Sequence, residues 1–166
     1  EHAHPLVKVT VVPRGQSLGA AWYTPSERNL STKEQMLDEM AATLAGRAAE
    51  ELTFGQISTG AQNDLDKVTS TAYSMVVIYG MTESVGNVSY YELMKNDTFQ
   101  KPYSDETARI IDKEVKVIIE EQYARVLALL KERREELIKV AEVLLEKEVI
   151  VKDDVVKLIG IRPFEK

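Results

Sequence analysis

Hydrophobic residues recur at helical spacing in long segments of the chain, and turn residues or polar runs separate these segments. The first segment opens with a capping-box pattern, Ser31 to Glu34, and ends near Gly55, whereas the next segment ends at Gly80. The spacing predicts helices over about residues 32–54, 63–79, 104–131, 133–147 and 153–159. Most of the chain is therefore expected to be helical.

Neither glycine nor proline interrupts the helical pattern between Ser104 and Gly160. A single helix of roughly 45 residues would be about 67 Å long, whereas the radius of gyration of a folded chain of this length is only about 15 Å. We therefore expect a break in the polar run "KERREE", residues 131–136, which would give a helical hairpin with one arm on either side of the break.

A β-rich segment, residues 7–24, precedes the helices and carries two runs of strand-forming residues around a turn at residues 13–15. No other region of the sequence predicts a strand. Residues 81–103 show no sustained period and are expected to form a long loop. The predicted fold is mainly α: a helical bundle with a small N-terminal β hairpin or sheet element, in one domain over residues 1–166.

Composition limits the chemistry that this chain can perform. Its 166 residues, 44% of them hydrophobic, are enough to bury one sizeable core. Acidic residues outnumber basic ones by 27 to 21, and the net charge of -6 argues against nucleic acid as a partner. Cysteine is absent, which excludes disulfides, thiolate metal ligands and cysteine nucleophiles. No apolar run approaches the roughly 18 residues of a membrane span.

Asp64 lies where a loop of small residues, "STGAQN", leads into the second predicted helix. An acid in a first turn interacts favourably with the exposed N–H groups and the helix dipole, and this role requires nothing else. The alternative is that the carboxylate holds a ligand. The residues alone favour the helix-terminus role and leave the ligand role open.

Two other pairs of residues are candidates for chemistry. His2 and His4 would face the same side of a strand and could share a metal, but two solvated imidazoles near a chain terminus are the simpler interpretation. Glu50 and Glu51 lie near the C-terminal end of the first predicted helix, where the dipole disfavours acids. We expect Glu51 to be solvated, whereas Glu50 could turn towards the loop that precedes Asp64.

Three long segments resemble successive blocks of the peptidase domain of the FtsH family, the membrane-anchored ATP-dependent zinc metalloproteases. They read "KVTVVPRGQSLGAAWYTP", "MLDEMAATLAGRAAEELTFGQISTGAQNDLDKVTSTAYSMVVIYGM" and "SDETARIIDKEVKVIIEEQY". Three blocks in the family's order, spread over nearly the whole chain, are more specific than a short motif. The resemblance therefore implies a partial FtsH-like peptidase domain over residues 1–166.

The resemblance also implies a zinc site. In that family two histidines of an HExxH motif and an aspartate from a later helix hold zinc, and the motif's glutamate takes a proton from the zinc-bound water. The matching aspartate is Asp64, and the resemblance makes Glu50 a neighbour that supports the ligands.

This sequence departs from the family pattern because it contains no HExxH motif. The resemblance places that motif upstream of Glu1, and His2 and His4 match a family segment that supplies no ligands. We therefore expect no catalytic residue within these 166 positions, and we expect the fragment alone to be inactive.

Further properties are implied only for a longer parent protein. An N-terminal ATPase module would bind ATP and magnesium, N-terminal segments would anchor the protein in a membrane, and the subunits would form a homo-hexamer. The implied substrates are unfolded or membrane proteins. The implied location is the bacterial inner membrane with the peptidase domain facing the cytoplasm, or an organelle membrane, while the fragment itself is expected to be soluble.

Two other interpretations remain open. The chain could be a catalytically dead relative that serves as a helical oligomerisation or scaffold module, in which case Asp64 would only interact with its helix terminus. It could also be an unrelated helical adaptor. The upstream sequence distinguishes the protease from the scaffold module, because an intact HExxH motif supports the protease and a degraded motif supports the scaffold.

Overall fold

The computed structural model describes residues 2–13, 15, 19–24, 30–96 and 101–164. In chain order its elements are β1 (Leu6–Thr10), β2 (Ala20–Tyr23), α1 (Lys33–Phe54), a 3-10 turn (Thr59–Ala61), α2 (Gln62–Val77), α3 (Tyr91–Asn96), α4 (Asp105–Glu132), α5 (Arg134–Lys147), β3 (Val149–Val151) and α6 (Lys152–Ile159). The predicted fold class, mainly α with a small sheet, is confirmed. Within the described ranges, the helices are too short or too polar to cross a membrane.

The chain divides into two compact units. The helical unit comprises Ser31–Ala128, and the mixed unit comprises Glu1–Leu30 together with Leu129–Lys166. The single peptidase domain expected over residues 1–166 stays a prediction.

The helical unit is organised around a core that α1, α2 and α4 share. Its buried residues are Met40, Leu44, Val68, Ala72, Met75, Val76, Val77, Ile111 and Ile118. Apart from Val77, these positions recur three, four or seven apart on each helix, so the hydrophobic period of the sequence becomes one continuous buried surface. Burial of these faces fixes α1 beside α2 and so determines where the loop between the two helices must run.

The start of α1 differs from the prediction by one residue. The capping box uses Thr32 and Gln35 instead of Ser31 and Glu34. The Thr32 hydroxyl accepts from the Gln35 backbone N–H at 3.3 Å, and the Gln35 side-chain oxygen accepts from the Thr32 backbone N–H at 2.8 Å. A threonine and a glutamine satisfy the same orphan donors as the predicted serine and glutamate, so the sequence pattern fits both registers. At the other end, Gly55 adopts the left-handed conformation with φ of 65°.

The segment predicted as a long loop, residues 81–103, contains a short helix, α3, so the prediction of a loop is wrong for that part. Tyr90 and Tyr103 pack edge to face with ring centroids 5.1 Å apart, and the hydroxyls of Tyr73 and Tyr103 lie 2.8 Å from each other. Aromatic pairs of this kind stabilise a segment without any helical period.

The mixed unit contains an antiparallel sheet in the order β2-β1-β3. The predicted pairing of two N-terminal strands is present, although Arg14 of the predicted turn lies outside the described residues. β3 was not expected, because three residues are too few to show an alternating pattern. Its central residue, Ile150, is fully buried and pairs with Val9.

The long helical pattern is interrupted where the sequence predicts a break. α4 ends at Glu132 and α5 begins at Arg134, both inside the polar run at residues 131–136. The intervening Arg133 has φ of -103° and ψ of 30°, outside the helical region. A run of charged residues offers little apolar surface to bury, so the chain can turn here at little cost.

Candidate metal centre

Asp64 is the third residue of α2 and lies in its first turn. The N-cap residue, Ala61, makes no side-chain capping hydrogen bond. The Asp64 carboxylate lies 3.9 Å from the Lys67 ammonium, and its side chain is 44% exposed. A solvated pair of this kind contributes at most about 1 kcal/mol, so it leaves the carboxylate accessible to a ligand.

The loop that leads to Asp64 is attached to the last turns of α1 through Ser58. The Glu50 carboxylate accepts a hydrogen bond from the Ser58 backbone N–H at 3.1 Å. On the other side of the residue, the Arg47 guanidinium donates to the Ser58 carbonyl at 3.5 Å. We call this arrangement the Ser58 clamp; it consists of Arg47, Glu50 and Ser58.

The clamp also changes the acidity of Glu50. Hydrogen bonds from the Ser58 side chain and backbone, together with the nearby Arg47 charge, lower the pKa of the Glu50 carboxyl. The carboxylate therefore stays ionised and continues to accept from Ser58 at every pH above the ordinary glutamate range. The prediction that Glu50 turns towards this loop is confirmed.

Ser58 also stabilises the turn that leads into α2. Its hydroxyl accepts from the Gly60 backbone N–H at 3.2 Å and caps the 3-10 turn that precedes α2. Ala61, the last residue of that turn, is buried. A short connection held at Ser58 and anchored at Ala61 fixes the position of the first turn of α2, and with it the backbone of Asp64.

Glu51 is exposed, as expected, and its carboxylate also has a partner on α4. The Tyr123 hydroxyl, from α4, donates a hydrogen bond to the Glu51 carboxylate. Burial and this hydrogen bond raise the pKa of Tyr123 to about 12.

The described residues do not form a metal site by themselves. No group of three histidine, cysteine, aspartate or glutamate side chains comes together anywhere in the ranges that the structure describes. His2 and His4 precede β1 in the mixed unit, and each has an interaction partner. A catalytic zinc ion needs three protein ligands, and the Asp64 carboxylate offers one. No reaction step can therefore be assigned to the residues of this chain alone.

Sequence reasoning identified Asp64 and Glu50 but missed Arg47 and Ser58. A signal for the missing pair was present, because Arg47 and Glu50 are three residues apart and so share a helix face. Both side chains bond to the backbone of the same loop residue, Ser58. This depends on how the loop folds back onto α1, which no local sequence pattern encodes.

Comparison with known proteins shows which family the chain resembles. The model of peptidase family M41 matches residues 1–158. The chain is 57% identical to the ATP-dependent zinc metalloprotease FtsH of Parabacteroides distasonis over 163 residues, which is 98% of this chain and 24% of that protein. It is 53% identical to the mitochondrial inner membrane m-AAA protease component AFG3L2 of Mus musculus, over 99% of this chain and 21% of that protein.

The chain belongs to peptidase family M41, and the resemblance to the FtsH family is confirmed. A third relative, the FtsH protease of Rhodothermus marinus, is 52% identical over 98% of this chain. The chain spans about a quarter of the bacterial relatives, at 24%, and 21% of the mouse protein.

Proposed function

We propose that this chain is part of the peptidase domain of an ATP-dependent zinc metalloendopeptidase and that Asp64 supplies one zinc ligand to the complete site. The observation that carries the proposal is the exposed carboxylate of Asp64, together with the fixed loop before it. Its side chain is 44% exposed and its carboxylate lies 3.9 Å from the Lys67 ammonium, while the Ser58 clamp holds the loop before it. Zinc ligands need this combination of an accessible donor atom and a fixed backbone.

In this proposal the 166 residues provide one ligand and the support for it, and the other ligands and the catalytic glutamate come from outside them. When zinc is bound in such a site, it polarises the scissile carbonyl and activates a water molecule. The residues described here would position the metal but would not exchange protons. The isolated 166 residues are therefore proposed to be inactive.

The properties of the whole protein are proposals that the relatives support. Their names specify ATP dependence, zinc and, for the mouse protein, the mitochondrial inner membrane. We propose a hexameric, membrane-anchored protease with ATP and magnesium bound outside this chain, acting on unfolded, membrane and cytoplasmic proteins. In a bacterial source the peptidase domain would face the cytoplasm from the inner membrane.

The test is the amount of zinc bound per chain in the full-length protein and in two variants. Asp64→Asn replaces the proposed ligand, and Asp66→Asn is its control, because Asp66 is an exposed acid of the same helix. We expect near one zinc per chain in the unmodified protein and in the control, and a large loss in Asp64→Asn. Full zinc retention in Asp64→Asn would contradict the ligand assignment.

A second function, a helical oligomerisation module without catalysis, is favoured by one observation. The helix α5 buries none of its residues, and Leu145 and Ile138 on it are exposed. Absence of zinc from the full-length protein, combined with a stable oligomer in analytical ultracentrifugation, would establish this function and would exclude the peptidase.

A further inference from the structure

The mixed unit contains a cavity of about 260 Å³ that the proposed peptidase does not use. Its walls come from the start of β1, from α6 and from the segment that follows α6, with Arg133 from the break before α5. Three separate stretches of the chain thus converge on one small space. The volume is slightly below the range of typical small-molecule sites, so any ligand must be small.

Most of the cavity wall is aliphatic. Val155, Val156 and Ile159 of α6 face Leu6 of β1 across the cavity, and Ile161 extends the same surface. Such a lining favours a hydrocarbon group, because burial of each methylene contributes about 0.8 kcal/mol.

The polar part of the wall carries a single sign of charge. Arg133, Lys152 and Arg162 line the cavity, and no aspartate or glutamate is among its lining residues. The chain as a whole carries a net charge of -6, so a cavity with three cations and no acid differs sharply from the average surface. This distribution favours an anion over a neutral or cationic ligand.

Two of these basic side chains, Arg162 and Arg133, have defined partners. The Arg162 guanidinium donates to the Ala3 carbonyl at 2.6 Å, which ties the segment after α6 to the residues before β1 and so closes one side of the cavity. Arg133 forms an ion pair with Glu136. A ligand anion would therefore compete with Glu136 for Arg133.

We propose that this cavity binds a small carboxylate that carries a short aliphatic chain. The carboxylate lies among the three cations, where charge-assisted hydrogen bonds hold it, and the aliphatic chain lies against Val155, Val156 and Ile159. The same chemistry is present in a free short-chain carboxylic acid and at the C-terminus of a peptide that ends in an aliphatic residue. The site lies outside the proposed metal centre, so it does not depend on the peptidase function.

The experiment is calorimetric titration of the full-length protein with hexanoate and, as the uncharged control, with hexan-1-ol. We expect saturable binding of one hexanoate per chain with a dissociation constant of roughly 1 mM or lower, and binding of the alcohol that is weaker by about tenfold or more. Equal binding of both compounds, or no saturable binding of hexanoate, would overturn the proposal whatever the state of any variant.

Three variants locate the site. Lys152→Met should weaken hexanoate binding at least about fivefold, since it removes one cation from the wall. The control Lys157→Met changes a lysine of the same helix that does not line the cavity, and it should leave binding unchanged. Glu136→Gln should tighten binding, because it removes the carboxylate that pairs with Arg133. An equal loss in both lysine variants would place the ligand elsewhere and reject the site.

The two sources of the carboxylate are distinguished by a peptide, acetyl-alanyl-leucine, and its C-terminal amide. Tighter binding of the peptide acid than of hexanoate, lost in the amide, would identify a peptide C-terminus as the ligand. Tighter binding of hexanoate would identify a free carboxylic acid. Either result supports the site, and neither depends on zinc or on proteolysis.

Discussion

The Glu50 carboxylate and the Ser58 backbone N–H are joined by a hydrogen bond of 3.1 Å that connects the last turns of α1 to the loop before α2. Hydrogen bonding to Ser58 is the main cause of the lowered pKa of the Glu50 carboxyl. This bond makes the position of Asp64 depend on α1. The dependence acts through Ser58, because Glu50 bonds to Ser58 whereas Asp64 pairs with Lys67.

Replacement of Glu50 by glutamine should weaken the binding of zinc by the full-length protein about tenfold, since groups that orient ligands typically contribute 10- to 100-fold to metal affinity. Zinc affinity would be measured by competition with a chelator. The control is Glu51→Gln, because the Glu51 carboxylate accepts from Tyr123 of α4, whereas the Glu50 carboxylate accepts from Ser58. An equal loss of affinity in both variants would reject a specific role for the Ser58 clamp.

The Glu50–Ser58 bond should depend on pH in a defined direction. Because the folded pKa of Glu50 lies below its ordinary value of 4.5, the bond contributes fully above pH 4.5 and is lost as the pH falls through the lowered value. A carboxyl carbon NMR titration should give a Glu50 midpoint below 4.5. Ser58→Ala should raise that midpoint, and an unchanged midpoint would show that the Ser58 side chain is not the cause.

Truncation of the core should be costly in the helical unit. Leu44 is 2% exposed, and Leu44→Ala should lower the free energy of unfolding by about 2–5 kcal/mol, because a cavity remains where the side chain was. Leu145 is 78% exposed, so Leu145→Ala should change it by less than about 0.5 kcal/mol. Urea denaturation measures both values, and a loss for Leu145→Ala as large as that for Leu44→Ala would contradict the assigned core.

Replacement by alanine should change the stability of the fold in opposite directions at Gly80 and Gly46. Gly80 has φ of 60°, and an added Cβ would lie 3.0 Å from the Gly86 carbonyl oxygen, so Gly80→Ala should destabilise by more than about 1 kcal/mol. Gly46 lies within α1 with open space around its Cα, so Gly46→Ala should stabilise by about 0.5–1 kcal/mol. Thermal unfolding measures both changes, and two shifts of the same sign would be inconsistent with these backbone conformations.

Tyr123 should ionise late in an alkaline titration. The pKa of Tyr123 is raised from 10.0 to about 12 in the folded state. The protonated hydroxyl therefore contributes fully to stability below pH 10, and this contribution is lost as the pH rises through 12. In an ultraviolet titration of tyrosine, Tyr123→Phe should remove one late-ionising group. Tyr79→Phe, which changes an exposed tyrosine, should leave the late phase intact. Persistence of the whole late phase in Tyr123→Phe would contradict the Glu51 contact.

The sequence by itself determined the helices other than α3, the approximate place of their boundaries and the family. Hydrophobic spacing and terminators such as Gly55 act over a few residues, so they can be read along the chain. Asp64 was found in the same way, because its place in a first turn is a local property. The long matching blocks then assigned the chain to its family, since they extend over most of its length.

Only the tertiary structure decided which side chains meet. Tyr123 reaches Glu51 across 72 positions of sequence, and β3 forms because β1 offers it an edge. The cavity in the mixed unit likewise brings Leu6 next to α6 and Arg133. Each of these contacts depends on how packed helices and strands place distant backbone segments, and a local period contains no information about that placement.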